Sequence, residues 1–168
     1  MRMPKSAWLT TAAVTILVVG ISAWVVMSAY SGPNKETQTQ SAYLVGDTYC
    51  LQLDVAQSPE KKRRGLSDRR TLAADEGMLF LYERPGRYGF WMKDMNFPID
   101  IIWLDKDNRV VGLKREAQPE SFPETFRPKK SAKKVIEVVS GFTKTENINL
   151  GDRLKIFGPS KTQPATCG

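Results

Sequence analysis

The stretch Gly77–Asp105, GMLFLYERPGRYGFWMKDMNFPIDIIWLD, decides the fold, because two apolar runs flank an aromatic, turn-rich middle. Met78 to Tyr82 is continuously apolar, as expected of a strand buried on both faces. Arg84, Pro85 and Gly86 are expected to turn the chain. Phe90 to Met92 form a second apolar patch, Phe97 and Pro98 break it, and Ile99 to Leu104 supply another strand. Asp105, Lys106, Asp107 and Asn108 are turn formers, so Arg109 to Lys114 is predicted to return antiparallel as a hairpin.

On the N-terminal side, Tyr49, Leu51, Leu53 and Val55 alternate with Cys50, Gln52 and Asp54, the period of a half-buried strand. Ser58, Pro59 and Glu60 then read as an N-cap, a proline at the first helical position and an acid in the first turn. A short basic helix should end at Gly65. On the C-terminal side a proline-punctuated loop, Pro119 to Pro128, precedes two strands, Lys134 to Val139 and Leu154 to Phe157. One or two short helices among about six or seven strands predict an α+β domain. Its sheet should be mostly antiparallel, curled or closed into a small barrel.

A different signal comes first in the chain. Ala7 to Tyr30 carries no charge, and its 24 residues give roughly 36 Å of helix, enough to cross a hydrocarbon core of about 30 Å. Trp8, Trp24 and Tyr30 fall towards its ends, where amphipathic rings favour the interface. Arg2 and Lys5 precede the span, so the positive-inside rule leaves the N-terminus in the cytoplasm and the rest outside. Ala29 and Ser31 are also spaced like a processing site, which keeps a cleaved signal peptide as the alternative. The apolar run exceeds the 7–15 residues of a signal peptide and favours an anchor. The expected layout is an anchor over 1–30, a polar linker over 31–42, an exported domain over 43–160 and a tail over 161–168.

Cys50 and Cys167 are the only cysteines, and an oxidising compartment would allow them one disulfide. Two unpaired thiols are the other reading. The formal charge of +7 is concentrated in Lys61 to Arg70 and in Arg127 to Lys134. Solvated faces account for most such clusters. A specific polyanion outside the cytoplasm would be anionic lipid or an envelope polymer, and no nucleic-acid module is visible.

The ordered series Gly65 Leu66, Gly77 Met78 Leu79 Phe80, Phe90 Trp91 Met92 Lys93, Pro98, Asp100 Ile101, Val110 Val111, Val135 to Glu137, Gly141 and Gly151 Asp152 resembles a known family. This is the bacterial and archaeal domain of unknown function 192, matched from about Tyr49 to Phe157. The resemblance implies a compact β-rich domain, often exported behind a signal or anchor, with no established reaction. The segment after the short helix is more basic here, and the loop Pro119 to Pro128 has extra prolines.

The chain has no histidine, which removes Ser-His and Cys-His catalysis and imidazole metal sites. Met92 and Met95 beside Trp91 offer thioethers to Cu(I), but methionine commonly fills gaps in cores. No metal and no cofactor is expected. Asp94, Asp100, Asp105 and Asp107 crowd the central motif, with Glu76, Glu83 and Glu137 on neighbouring elements. A pair such as Asp94 and Asp100 would be needed for a carboxylate-dependent hydrolase acting on envelope glycans. The favoured expectation is a non-catalytic binding or accessory module, with Tyr88, Trp91, Lys93, Asp94 and Asp100 as candidate ligand residues. In an extended Phe90–Lys93 segment, Phe90 and Met92 would face the core while Trp91 and Lys93 face outward.

Overall fold

The computed structural model describes residues 41–160 and 164–167 of the chain. The expected membrane span and nearly all of the linker lie outside the described residues. Among the described residues, no helix is long and apolar enough to cross a membrane. Seven strands form one sheet: β1 Ser41–Val45, β2 Cys50–Ala56, β3 Glu76–Gly86, β4 Ile99–Leu104, β5 Val110–Ala117, β6 Ala132–Val139 and β7 Lys155–Ser160. Their order is β5-β4-β6-β3-β2-β1-β7. Two short helices accompany them, α1 Pro59–Arg64 and α2 Phe142–Thr145. Ser41 and Ala42, placed in the linker by their polar surroundings, belong to β1, where Ala42 is fully buried.

Neighbouring strands are antiparallel except β2 and β3, which run parallel. Parallel neighbours cannot be joined by a tight hairpin, and α1 with the loop after it forms the crossover. At one end the two sheet edges meet, where Arg109 and Arg153 form an isolated bridge. There the Val110 N–H donates to the Asp152 carbonyl at 2.8 Å and the Leu154 N–H to the Asn108 carbonyl at 3.0 Å. The sheet is therefore curled but not closed, since β5 and β7 do not pair along their length.

Both faces of the sheet are covered, which explains the continuous apolar runs. Leu79, Ile102, Leu104, Ile136 and Val138 join Phe142 of α2 in one core cluster. Met78, Phe80, Ile99, Ile101, Trp103 and Val135 join Phe90, Met92 and Phe126 in the other. Adjacent residues of one strand thus serve different cores, as the two-residue period requires. Gly77 sits at a tight crossing: a Cβ there would lie 2.7 Å from both the Glu137 carbonyl oxygen and Leu53 Cδ2.

The expected turn at Arg84 to Gly86 does not occur there. β3 runs on to Gly86, and its register with β6 shifts between Leu81 and Gly86. Proline lacks an amide donor and is accommodated where the ladder is interrupted. Cys50, at the start of β2, is disulfide-bonded to Cys167 with their Cα atoms 5.5 Å apart, which ties the segment Ala165–Cys167 to the sheet.

Candidate ligand pocket

A concavity of about 260 Å³ opens where the end of α1, the loop that follows it and the 89–95 segment converge on the outer face of β3 and β6. Its position follows from local sequence. Ser58 caps α1 by accepting the Lys61 N–H at 3.2 Å, with Pro59 in the first turn. Gly65 ends the helix at φ 55°, a left-handed φ that a residue with a Cβ adopts only under strain. The chain then drops Leu66 into the core, leaving it 1% exposed.

The facing wall is the 89–95 segment. Phe90 exchanges two backbone hydrogen bonds with Phe126, at 2.9 and 2.8 Å, and its ring meets Phe80 and Trp103 edge-on. Phe90 and Met92 are buried, whereas Trp91 is 48% exposed and Lys93 is also exposed. The alternation expected of an extended segment therefore holds, although only an isolated bridge forms at Phe90. The two walls are tied together. Ser67 Oγ donates to the Lys93 carbonyl at 2.8 Å, the Asp68 N–H to the Asp94 carbonyl at 2.9 Å, and Asn96 Nδ2 to the Arg69 carbonyl at 2.8 Å.

Glu137 lies at the floor. It occupies the β6 position that faces this wall, is 5% exposed, and its Oε2 has no hydrogen-bond partner. Burial pushes its carboxyl up to about 8, against a smaller opposing effect of the Arg69 cation. At neutral pH it is mostly the neutral acid, which can donate as well as accept a hydrogen bond. Arg69 itself is bound to Asp54. Lys62, Arg63 and Arg64 line the rim, and Phe80, Tyr82, Phe90, Trp91 and Met95 supply apolar surface. The Lys62 ammonium stands 4.6 Å from the Tyr82 ring centre. Arg63 and Arg64 form no ion pair with the described residues.

The five residues chosen from sequence are only partly brought together. Trp91 lines the pocket, and it also borders a neighbouring groove of about 480 Å³ with Lys93, Asp94 and Phe122. Lys93 and Asp94 are exposed, and their charged atoms are 4.0 Å apart. Tyr88 braces the pocket from behind: its ring stacks on Tyr82 at 3.4 Å, and its hydroxyl donates to the Arg84 carbonyl at 2.5 Å. Tyr82 is one of the lining residues, and its phenol is pushed up to about 12, chiefly by burial and then by Tyr88 and Glu137.

Asp100 lies apart from this pocket. It is fully buried beside α2, where Oδ1 accepts the Glu116 and Gly141 amides at 2.8 and 3.2 Å. Its Oδ2 accepts the Thr143 amide at 2.9 Å and the Thr143 hydroxyl at 2.6 Å. Asp100 alternates with Ile99 and Ile101 of the outer cluster, so it points to the opposite face from Asp94, and the two cannot flank one glycosidic bond. Sequence pattern alone does not single out Glu137, Lys62, Arg63 or Arg64 as pocket residues. The available signal was Glu137 itself, an acid inside the apolar run Val135 to Val139. Among the described residues no cluster of acids and cysteines is placed to hold a metal ion.

No curated protein matches the chain. A Sinorhizobium meliloti protein, named as a candidate transcription regulator, is similar in structure with TM-score 0.63 and 26% identity, over 68% of this chain and 91% of its own. A Novosphingobium aromaticivorans protein of unknown function is similar with TM-score 0.63 and 25% identity, over 74% of this chain and 89% of its own. The family model of domain of unknown function 192, described as Uncharacterized ACR, matches residues 43–156. With that match running from within β1 to the start of β7, across both helices and the pocket, the chain belongs to the domain of unknown function 192 family.

Proposed function

We propose that this protein is a non-catalytic binding module, held outside the cytoplasm by its N-terminal apolar segment, that takes a small ligand in the pocket between Trp91 and Glu137. The observation that carries the reading is the buried, unpartnered Oε2 of Glu137 on the pocket floor. An unsatisfied buried polar atom costs about 1–3 kcal/mol, and a ligand that pairs with it recovers that cost. Apolar walls with a few convergent polar groups are the usual make-up of a small-molecule site. Binding is favoured over hydrolysis because Glu137 is the single carboxylate in the lining. Export is supported by the Cys50–Cys167 disulfide, a bond that persists in oxidising compartments.

The test is a thermal-shift screen of the full-length protein in detergent against envelope saccharides, lipid head groups and small organic acids. Positives are repeated on Glu137→Leu and Trp91→Ala, and recovered ligands are weighed by mass spectrometry. A ligand at about 100 times its Kd should stabilise the native protein by about 2.7 kcal/mol. The expected result is stabilisation lost in both variants, with the ligand recovered intact. Consumption of the ligand would support a hydrolase instead, and stabilisation indifferent to both substitutions would overturn the site.

A further inference from the structure

The chemistry of the pocket narrows its ligand, on the assumption that the Trp91–Glu137 pocket is a binding site. We propose that it takes a single sugar ring carrying one acidic group, with the acid at the cationic rim and a ring hydroxyl on Glu137.

Three independent features converge on that class. The first is charge and its placement. Arg63 and Arg64 line the mouth and form no ion pair with the described residues, while Glu137 is the single carboxylate of the lining and lies at the bottom. Guanidinium groups recognise carboxylate and phosphate oxygens with two parallel hydrogen bonds. An anion is therefore favoured at the mouth.

The second feature is Oε2 of Glu137, which is buried without a partner. A hydroxyl both donates and accepts, so it satisfies this oxygen in either protonation state of the acid. A ligand that offers only acceptors, such as an aromatic carboxylate, pairs with it only while the acid is protonated.

The third is shape and surface. Trp91 presents its ring half-exposed, beside Phe90 and Tyr82, so one side of the ligand must be apolar. A sugar ring offers an apolar face and a hydroxylated edge at once. The volume of about 260 Å³ lies below the roughly 300–1,000 Å³ of sites for drug-sized molecules, which fits one ring rather than a chain of them.

The acid could be a carboxylate or a phosphate, and calorimetric titration of the full-length protein in detergent separates the two. Glucuronate and glucose 6-phosphate are the probes, with glucose, benzoate and inorganic phosphate as comparisons. Saturable binding of either sugar acid, at least tenfold tighter than each comparison, is expected. Glucuronate alone would identify a carboxylate and glucose 6-phosphate alone a phosphate, and either supports the proposal. Glu137→Leu should weaken the sugar acid at least tenfold while Glu137→Gln, which keeps a donor and an acceptor, should not. The double change Arg63→Gln with Arg64→Gln should bring the sugar acid down to the affinity of glucose. Thermal melting of each variant establishes that it is folded.

No saturable binding of either sugar acid overturns the proposal, as does binding that survives Glu137→Leu in a folded variant. Benzoate or inorganic phosphate binding as tightly as a sugar acid, yet still dependent on Glu137, overturns the sugar but leaves the binding pocket standing. If no probe here and no compound of the wider screen depends on Glu137 or Trp91, both fall together.

Discussion

Two buried acids, Glu137 and Asp100, lie on opposite faces of the same sheet and have opposite environments. Asp100 holds four hydrogen bonds and organises α2, whereas Oε2 of Glu137 holds none. Asp100→Ala should destabilise the domain by about 3 kcal/mol, because the Glu116, Gly141 and Thr143 amides lose their acceptor together. Urea unfolding measures this, and a loss well below 1 kcal/mol would show that the loops re-pair on their own. For Glu137 the sign is reversed. Its folded pKa of about 8 exceeds the ordinary 4.5, so between those values the native state binds more protons than the unfolded chain. Stability should therefore fall as pH rises through that window, by up to about 1.4 kcal/mol per pH unit, and level off above it. The charged and titratable groups around this carboxyl are Arg69, Lys62, Arg63, Arg64 and Tyr82. Glu137→Gln should remove the slope, and parallel stability-pH curves for the two proteins would refute the assignment.

At the scale of elements, the pocket depends on how α1 ends and on how closely β3 approaches β6. α1 has no buried residue, so its capping matters more than its packing. Ser58→Ala should cost about 1 kcal/mol, read as a lower denaturation midpoint. Gly77 meets a stricter limit, since its β3 position has backbone on one side and Leu53 on the other. Gly77→Ala should cost about 1–3 kcal/mol through overpacking, and a crystal structure of the variant should show β3 and β6 displaced. An unchanged melting temperature would mean that the crossing is looser than these distances indicate.

For the whole molecule, the disulfide is a covalent constraint on the described residues. Cys50 and Cys167 are 117 residues apart in sequence, so the bond encloses nearly the entire domain. In the chain-entropy account a loop of that length contributes about 4–5 kcal/mol, of which measured bonds commonly deliver about 2–4. The double change Cys50→Ser with Cys167→Ser should lower stability by that amount in urea titrations. Little change would show that the tail's attachment is peripheral. Because Cys50 opens β2, the bond restrains the edge of the sheet that includes β1 and β7, away from the Glu137 floor on β6.

Much of this architecture was legible in the residues. Period-two alternation and unbroken apolar runs located β2 to β7, and Ser58-Pro59 with Gly65 bounded α1, because those signals act within a few residues of chain. Strand β1, the continuation of β3 through Pro85 and the short helix α2 were not legible, because partners far away in sequence decide them. The site divides in the same way. Sequence determined that Trp91 and Lys93 face outward from a buried Phe90 and Met92, and that histidine chemistry is absent. Only the tertiary structure decided which acid matters. Two-residue alternation sends Asp100 and Glu137 to different faces, and neither strand records that β5 and the start of α2 bring three amides to one while the opposite wall leaves Oε2 of the other unpaired beneath a cationic rim. Local propensity is encoded residue by residue, whereas desolvation of a carboxylate depends on everything packed around it.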